Sequence, residues 1–274
     1  DPKMMEADQA ELRNSIEMIE RVAKDTQFGT KALLDGSKGA NGVATGDGLY
    51  FVSAGEDTKS SPTQGYEVTV TRAASQATRT GTAALTQEMI DAGEVLTLTE
   101  GGRTVQMQTD KSMTVETVFN DLQRQATDSG LNLELSVDES GIPTVRHQDY
   151  GSRATFTVAS SSGGVLSETE NVPNYINNGR DVAGELNGEE ALGDGQLLRG
   201  RDGNSNTAGL TIRYAREVAP SGEVAGNVTV TQNSLIFQIG PNEEQTSKLS
   251  LRDMKPSSLA NGISNESNYR SLAD

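Results

Sequence analysis

The spacing of the apolar residues changes after about the first thirty positions, and this change constrains the fold more than any other feature of the chain. Before it, apolar residues recur at intervals of seven, four, three and four, which makes a seam of about three heptads. The seam consists of Met5, Leu12, Ile16, Ile19 and Ala23. A seam of this kind is typical of a helix packed on a partner helix. An amphipathic helix lying on its own domain would show the same pattern, so the spacing leaves both arrangements open.

From residue 38 to about 233, glycine, serine, threonine and asparagine dominate, and the apolar residues alternate with polar ones. A period of two predicts β-strands, here at 66–72, 94–99, 102–108, 131–137, 154–159, 209–214 and 226–231. Gly101-Gly102 predicts a tight hairpin between two of them. Helices are predicted at 113–127, beginning at a Thr114 and Thr117 cap, and at 83–92. Residues 160–208 contain few apolar residues and are predicted to be rich in loops.

The final segment returns to a simpler pattern, a hairpin with strands at 234–240 and 246–251. Together these elements predict an α+β fold. A helical and β-hairpin core is expected from residues 1–37 and 234–274, which are discontinuous in sequence. A mainly β outer domain, residues 38–233, is inserted between them, with candidate subdomains at 64–160 and 161–233.

Composition excludes several classes of protein. The 274 residues include no cysteine, so a disulfide framework, a cysteine zinc site and a thiol nucleophile are ruled out. The net charge of −16 repels phosphate backbones, so we expect no nucleic-acid partner. A membrane span needs about 18 successive apolar residues, and the sequence has only short apolar runs. We therefore expect no membrane partner either.

The sequence offers no convincing catalytic group, and we expect neither an enzyme nor a bound cofactor or metal. His147 is the single histidine, and it is predicted to lie in a surface loop after the strand-like residues 143–145. Asp149 could orient it as a base, but no nucleophile stands at a suitable spacing. The acidic pairs at 168–170 and 189–190 are expected to be solvated faces.

One loop partly matches a calcium-binding loop. Asp202, Asn204 and Asn206 occupy its first three ligand positions, but Thr207 and Arg213 stand where glycine and glutamate are required. A turn built by asparagine and aspartate side chains is the favoured interpretation. An irregular calcium site stays open.

Two segments resemble bacterial flagellins. Residues 19–28 (IERVAKDTQF) with 31–37 (KALLDGS) resemble the flagellin helix ending I-x-R-[IV]-x-x-x-T-Q-F-N-G-x-x-L-L-x-G, with Gly29 and Thr30 in place of Asn-Gly. Residues 234–245 (SLIFQIGPNEEQ), 251–254 (LRDM) and 257–259 (SSL) resemble the F-Q-[IV]-G-A-N-x-x-[EQ]-T hairpin and its continuation, with Pro241 in place of alanine. Residues 94–158 also resemble the hook-IN pattern of flagellar axial proteins.

The resemblance implies a structural subunit of the extracellular flagellar filament, exported unfolded with the help of a chaperone and assembled as a homopolymer. It also implies that Asp1 falls within the family's helical region and that Asp274 falls where the returning helix should start. The chain is therefore expected to be a fragment that lacks the terminal coiled-coil segments and does not polymerise alone.

Alternatives remain beside this interpretation. A junction protein between hook and filament would share the same axial helices, and an extracellular adhesin or carbohydrate-binding module would share the Gly/Asn/Thr-rich β block. Arg13, Glu17 and Arg21 follow one another at intervals of four on the first helix, so ordinary ion pairing within the helix is the simplest expectation. In flagellins the matching helix packs against other subunits and, in some species, contacts the host innate flagellin receptor.

Overall fold

A computed structural model describes residues 2–220, 224–242, 245–260, 263 and 271–273. It is 18% helical and 38% strand with a mainly β part, which confirms the predicted α+β class. The chain forms two compact units. Unit 1 comprises Asp1–Ala73, Ala183–Gly193 and Leu197–Asp274, and unit 2 comprises Ala74–Val182 and Asp194–Gln196. These limits differ from those expected for an insert at 38–233, so that assignment stays a prediction.

Unit 1 begins with helix α1, Pro2–Asp25, which ends where the backbone N–H and the hydroxyl of Thr26 both donate to the Val22 carbonyl. No helix in the described residues has the length and apolar content needed to cross a membrane. The strands of unit 1 are β1 (Gln27–Phe28), β2 (Lys31–Ala32), β3 (Ala40–Thr45), β4 (Leu49–Ser53), β5 (Tyr66–Arg72), β13 (Ala183–Leu186), β14 (Glu189–Asp194), β15 (Leu197–Gly200), β16 (Thr211–Tyr214), β17 (Val224–Gln232), β18 (Leu235–Gln238) and β19 (Thr246–Leu249).

Eight of these strands form one sheet in the order β3-β17-β5-β13-β14-β15-β16-β4. Its first and last strands, β3 and β4, are consecutive in the chain. A Cβ atom on Gly42 of β3 would lie 2.6 Å from the ring of Phe51 in β4. The two ends of the sheet can therefore approach this closely only because position 42 has no side chain.

The prediction that residues 160–208 are rich in loops is confirmed for most of the segment, but it missed the short strands β13, β14 and β15. Asn187 and Gly188 join β13 to β14 with φ angles of 55° and 72°. Two successive positive φ angles are the requirement of a type I′ hairpin turn, which Asn-Gly satisfies. The strands are short and bury few apolar side chains, among them Leu186 and Leu198.

Unit 2 contains two sheets and two helices. Its elements are β6 (Gln76–Thr80), α2 (Gln87–Ala92), β7 (Val95–Glu100), β8 (Arg103–Gln108), α3 (Val115–Asp128), β9 (Leu133–Val137), β10 (Pro143–Tyr150), β11 (Phe156–Ser160) and β12 (Asn174–Ile176). The sheets have the strand orders β6-β10-β9 and β12-β11-β7-β8. The apolar face of α3, formed by Val118, Phe119, Leu122 and Ala126, is buried in one core with the inward residues of β7, β8 and β11. The predicted strands 94–99, 102–108, 131–137 and 154–159 and the helix 113–127 are thus confirmed, each with its ends moved by one or two residues.

The Thr114 cap gives a direct test of how α3 is held. The Thr114 side chain accepts a hydrogen bond from the Thr117 N–H, and the Thr117 hydroxyl accepts one from the Thr114 N–H. We expect Thr114→Ala to lower the free energy of unfolding by about 1 kcal/mol, since it leaves an N-terminal N–H without its partner. Thr114→Ser keeps the acceptor and should cost little. Urea denaturation followed by circular dichroism measures both, and equal losses for the two variants would contradict the capping role.

Candidate subunit-packing surface

The seam on α1 runs from a buried end to an open one. Ala23 is only 1% exposed, Ile16 and Ile19 are half-buried, and Met5 and Leu12 are 65% and 59% exposed. Near the buried end, Ile16 lines a shallow depression together with Pro256 of the 3₁₀ turn Pro256–Ser258. The helix therefore rests on its own unit at its C-terminal end, while the N-terminal part of the seam remains available to a partner.

A second apolar stripe on α1 was missed by the sequence analysis. Met4, Met18 and Val22 are 66%, 56% and 51% exposed, and at 3.6 residues per turn Met4 and Val22 lie about 100° around the helix from the seam. The spacing of Met18 and Val22 would have suggested them, but polar Glu11 interrupts the row. A helix with two open apolar faces gains little from its own unit, because most helical stability comes from packing such faces.

The stripe of Arg13, Glu17 and Arg21 lies on α1 as the spacing predicts, and all three residues are exposed. In the described part of the chain, none of them forms an ion pair within 4 Å; the pair on this helix joins Lys24 Nζ to Glu20 Oε1 at 2.8 Å. The simple expectation of ion pairing along the stripe was therefore wrong. The stripe leaves its charges free to meet a partner surface.

The two flagellin-like segments lie side by side in unit 1, although about 195 residues separate them in sequence. The Met254 N–H donates to the Leu34 carbonyl at 2.9 Å, and Lys255 Nζ donates to the Asp35 carbonyl at 3.0 Å. The Leu251 N–H also donates to the Lys38 carbonyl, at 3.0 Å. The chain thus returns to the point from which it left the first segment.

The hairpin of β18 and β19 is paired as expected, from Leu235 opposite Leu249 to Gln238 opposite Thr246. It forms a separate two-stranded sheet, and its apolar side chains are largely open. Ile236, Phe237 and Ile239 are 65%, 49% and 71% exposed. A two-stranded hairpin of this kind is marginal alone in water, so this surface, like α1, has apolar area that its own unit does not cover.

The prediction that His147 lies in a surface loop was wrong. Strand β10 continues through it, opposite Leu133 of β9, and the side chain is 4% exposed. Its Nδ1 accepts a hydrogen bond from the Asp149 N–H at 2.9 Å, and its Nε2 lies 3.4 Å from Glu100 Oε1. Both ring nitrogens therefore contact groups of unit 2 rather than open solvent.

The calcium-like loop surrounds a carboxylate rather than a cation. Glu189 of β14 accepts hydrogen bonds from the N–H groups of Ser205, Asn206 and Thr207 at 2.9 to 3.3 Å, and from the Thr207 hydroxyl at 2.6 Å. The Asn206 amide adds another, at 3.2 Å. Because N–H donors point to the loop's centre, it suits an anion and repels a cation. Across the described residues there is no group of three or more His, Cys, Asp or Glu placed to hold a metal.

Two of the acidic residues considered as catalytic candidates, Glu168 and Glu190, form ion pairs on the protein surface. Glu168 pairs with Arg79 at 3.2 Å in unit 2, and Glu190 pairs with Arg201 at 3.3 Å in unit 1. The glutamate side chains of these pairs are 68% and 73% exposed. These two carboxylates are therefore solvated and ion-paired, as expected for surface faces.

Comparison with known proteins assigns no family. No family model matches the chain, and no curated protein matches it. Among solved structures, the chain matches the D2–D3 domains of the flagellar cap protein FliD from Escherichia coli at 12% identity and a TM-score of 0.45; the match covers 71% of this chain and 99% of that one. The D1–D2–D3 domains of the same protein match at 13% identity and a TM-score of 0.47, over 81% of this chain and 65% of that one. FliD from Pseudomonas aeruginosa matches at 12% identity and a TM-score of 0.36, over 75% of this chain and 86% of that one. These are cap proteins rather than flagellins, at identities and TM-scores too low to assign a role, so the flagellin resemblance remains an interpretation of the two sequence motifs.

Proposed function

We propose that this chain is part of a structural, non-enzymatic subunit of the bacterial flagellar filament, located outside the cell. The observation that carries the proposal is a direct hydrogen bond between the two flagellin-like segments, from the Met254 N–H to the Leu34 carbonyl. Two motifs that resemble one family in the same order also meet in space. This supports a core made of residues 1–37 and 234–274, from which residues 38–233 extend as a surface domain.

The open apolar surface of α1 supports assembly with identical subunits. Met5 and Leu12 on the seam and Met18 on the second stripe are each more than half exposed, and burying such side chains gives about 1.5–3 kcal/mol each. Neighbouring helices in a homopolymer would cover them. The unpaired charges of Arg13, Glu17 and Arg21 would then contribute to subunit packing or, in a host, to contact with the innate flagellin receptor. An export chaperone would hold the chain before assembly.

Immunogold electron microscopy of whole cells tests the proposal, using an antibody raised against this chain. Gold along the full length of the filaments is the expected result. Gold confined to the filament base would indicate the alternative of a hook–filament junction protein. Gold scattered over the cell envelope would reject the flagellar role and favour an adhesin.

A second arm tests the seam in the full-length protein. Leu12→Lys places a charge in the middle of the seam, where it would be buried without a partner, and should abolish filaments. Val218→Lys adds the same charge at an apolar residue outside α1, 71% exposed, and should leave filaments on the cells. Both residues are exposed in the isolated chain, so neither change should unfold it, and circular dichroism of each variant checks this. Normal filaments with Leu12→Lys would contradict the packing role.

A further inference from the structure

The outward face of the four-stranded sheet in unit 2 has an unusual surface. Its inward side chains, such as Leu96, Leu98 and Val158, are buried in the core, and the alternate side chains of each strand therefore point outward. These outward residues, here called the hydroxyl face, are Val95, Thr97, Thr99, Thr104, Gln106, Gln108, Thr157, Ala159 and Tyr175. All nine are exposed or half-exposed.

The strand register arranges these residues in rows across the sheet. Tyr175 of β12 stands opposite Thr157 of β11, Thr157 opposite Thr99 of β7, and Thr99 opposite Thr104 of β8. Because neighbouring strands are about 4.8 Å apart, this row places three threonines and one aromatic ring in a line. The next row, Ala159, Thr97 and Gln106, runs parallel to it.

The polar groups in these rows keep hydrogen-bonding capacity. The hydroxyls of Thr99 and Thr104 lie 3.0 Å apart, and Gln106 Nε2 donates to the Thr97 hydroxyl at 3.4 Å. Each hydroxyl offers one donor and two acceptor positions, and an amide offers two of each. After these contacts, donors and acceptors of both kinds remain for a ligand.

The hydroxyl face also lacks charge. None of its nine residues is Asp, Glu, Lys or Arg, although 23% of the chain is charged and the net charge is −16. An ionic partner would find no counter-charge here. A neutral ligand rich in hydroxyl groups would match the face in both charge and hydrogen-bonding pattern.

We propose that the hydroxyl face binds a neutral oligosaccharide, with one sugar ring stacked on Tyr175 and its neighbours hydrogen-bonded along the row of Thr157, Thr99 and Thr104. Tyr175 is 62% exposed, and an aromatic ring with an apolar face and a polar tip is suited to a sugar, which has both kinds of surface. A protein partner fits less well, because stable protein interfaces are anchored by several aromatic or arginine side chains at their centre. The hydroxyl face supplies one.

The test is binding of the chain to an array of neutral oligosaccharides of four to six units, built from glucose, mannose, galactose or N-acetylglucosamine. Titration calorimetry then measures the affinity for the best ligand. We expect Tyr175→Ala to weaken binding tenfold or more, a loss of about 1.4 kcal/mol. Tyr175→Phe keeps the stacking surface and should stay within about threefold. Thr99→Val keeps the shape, removes the hydroxyl and should weaken binding by an intermediate factor.

Matched controls separate the proposal from a loss of folding. Val172→Ala changes another exposed residue of unit 2, 51% exposed, and should leave binding unchanged. Thermal melting checks that every variant is folded. If the folded wild-type chain binds none of the neutral oligosaccharides, the proposal is overturned. Binding that Tyr175→Ala does not weaken would overturn it as well. Self-association of the chain that Tyr175→Ala abolishes, without sugar binding, would instead assign the face to a protein contact and overturn it equally. The immunogold experiment is independent of all these outcomes.

Discussion

Leu122→Ala should lower the free energy of unfolding of unit 2 by about 3 kcal/mol. Leu122 is 0% exposed and lies on the buried face of α3, in the same core as Leu96, Leu98 and Phe119. Truncation removes the transfer free energy of the side chain and leaves a cavity that a sheet on one side and a helix on the other can close only in part. The free energy of unfolding of a unit of this size falls by about 1.5 kcal/mol for each molar increase in urea, so the urea concentration at the unfolding midpoint should fall by about 2 M.

The measurement should follow unit 2 itself, because the two units can unfold separately. Hydrogen–deuterium exchange of the peptide covering α3, recorded across a urea series, reports on it directly. Val172→Ala is the control in the same unit: it truncates an apolar side chain that is 51% exposed and should cost under about 0.5 kcal/mol. Similar losses for the two variants would show that the α3 core is not closely packed.

The elements that the sequence predicted are those whose pattern is local. The heptad seam of α1 and the alternation in β5 are complete within the element, and both elements were found, β5 with its limits unchanged. The Thr114 cap and the Gly101-Gly102 turn are also local signals. They depend on hydrogen bonds and φ angles of neighbouring residues, so no distant partner is needed to recognise them.

The elements that were missed depend on partners distant in sequence. β13 has four residues and only one large apolar side chain, Leu186, and its pairing partner β5 lies more than a hundred residues earlier. His147 stands among the polar residues Arg146, Gln148 and Asp149 after the strand-like residues 143–145, yet it belongs to β10 because β9 supplies the partner for the strand. A one-dimensional pattern contains no signal for such pairs, since their stability comes from cross-strand contacts.

The candidate packing surface was predicted in part for the same reason. The seam residues of α1 follow one another at regular spacing, whereas the exposed surface of β18 and β19 becomes visible only when the hairpin proves to have no sheet beside it among the described residues. The ligand of the calcium-like loop could not be found at all from sequence. It is Glu189, thirteen positions before the loop's first residue, Asp202, and only the folded chain brings it there.

Removing the Glu189 carboxylate should also lower the free energy of unfolding substantially. Glu189→Gln should lower the free energy of unfolding of unit 1 by about 2 kcal/mol at pH 7. The substitution weakens the charge-assisted hydrogen bonds from three N–H groups and the Thr207 hydroxyl. It also replaces one acceptor oxygen by an NH₂ group, which faces these donors and cannot accept from them. Glu190→Gln is the matched control on the next residue. Its side chain is 73% exposed and forms an ion pair with Arg201, so the substitution should cost under about 0.5 kcal/mol.

The pH dependence of this loss identifies its cause. Burial alone would raise the pKa of Glu189, but the hydrogen bonds from Thr207, Asn206 and Ser205 outweigh it and hold the pKa below the usual glutamate value. A carboxyl whose pKa is lower in the folded state stabilises the fold fully above the unfolded pKa, about 4.3, and this contribution is lost as the pH falls through the folded pKa. The difference between wild type and Glu189→Gln, measured by urea denaturation at steps from pH 7 to pH 3, should therefore stay constant above about pH 5 and shrink below it. A difference that does not change with pH would mean that Glu189 acts through its shape alone, and that the loop at 202–207 does not hold it as an anion.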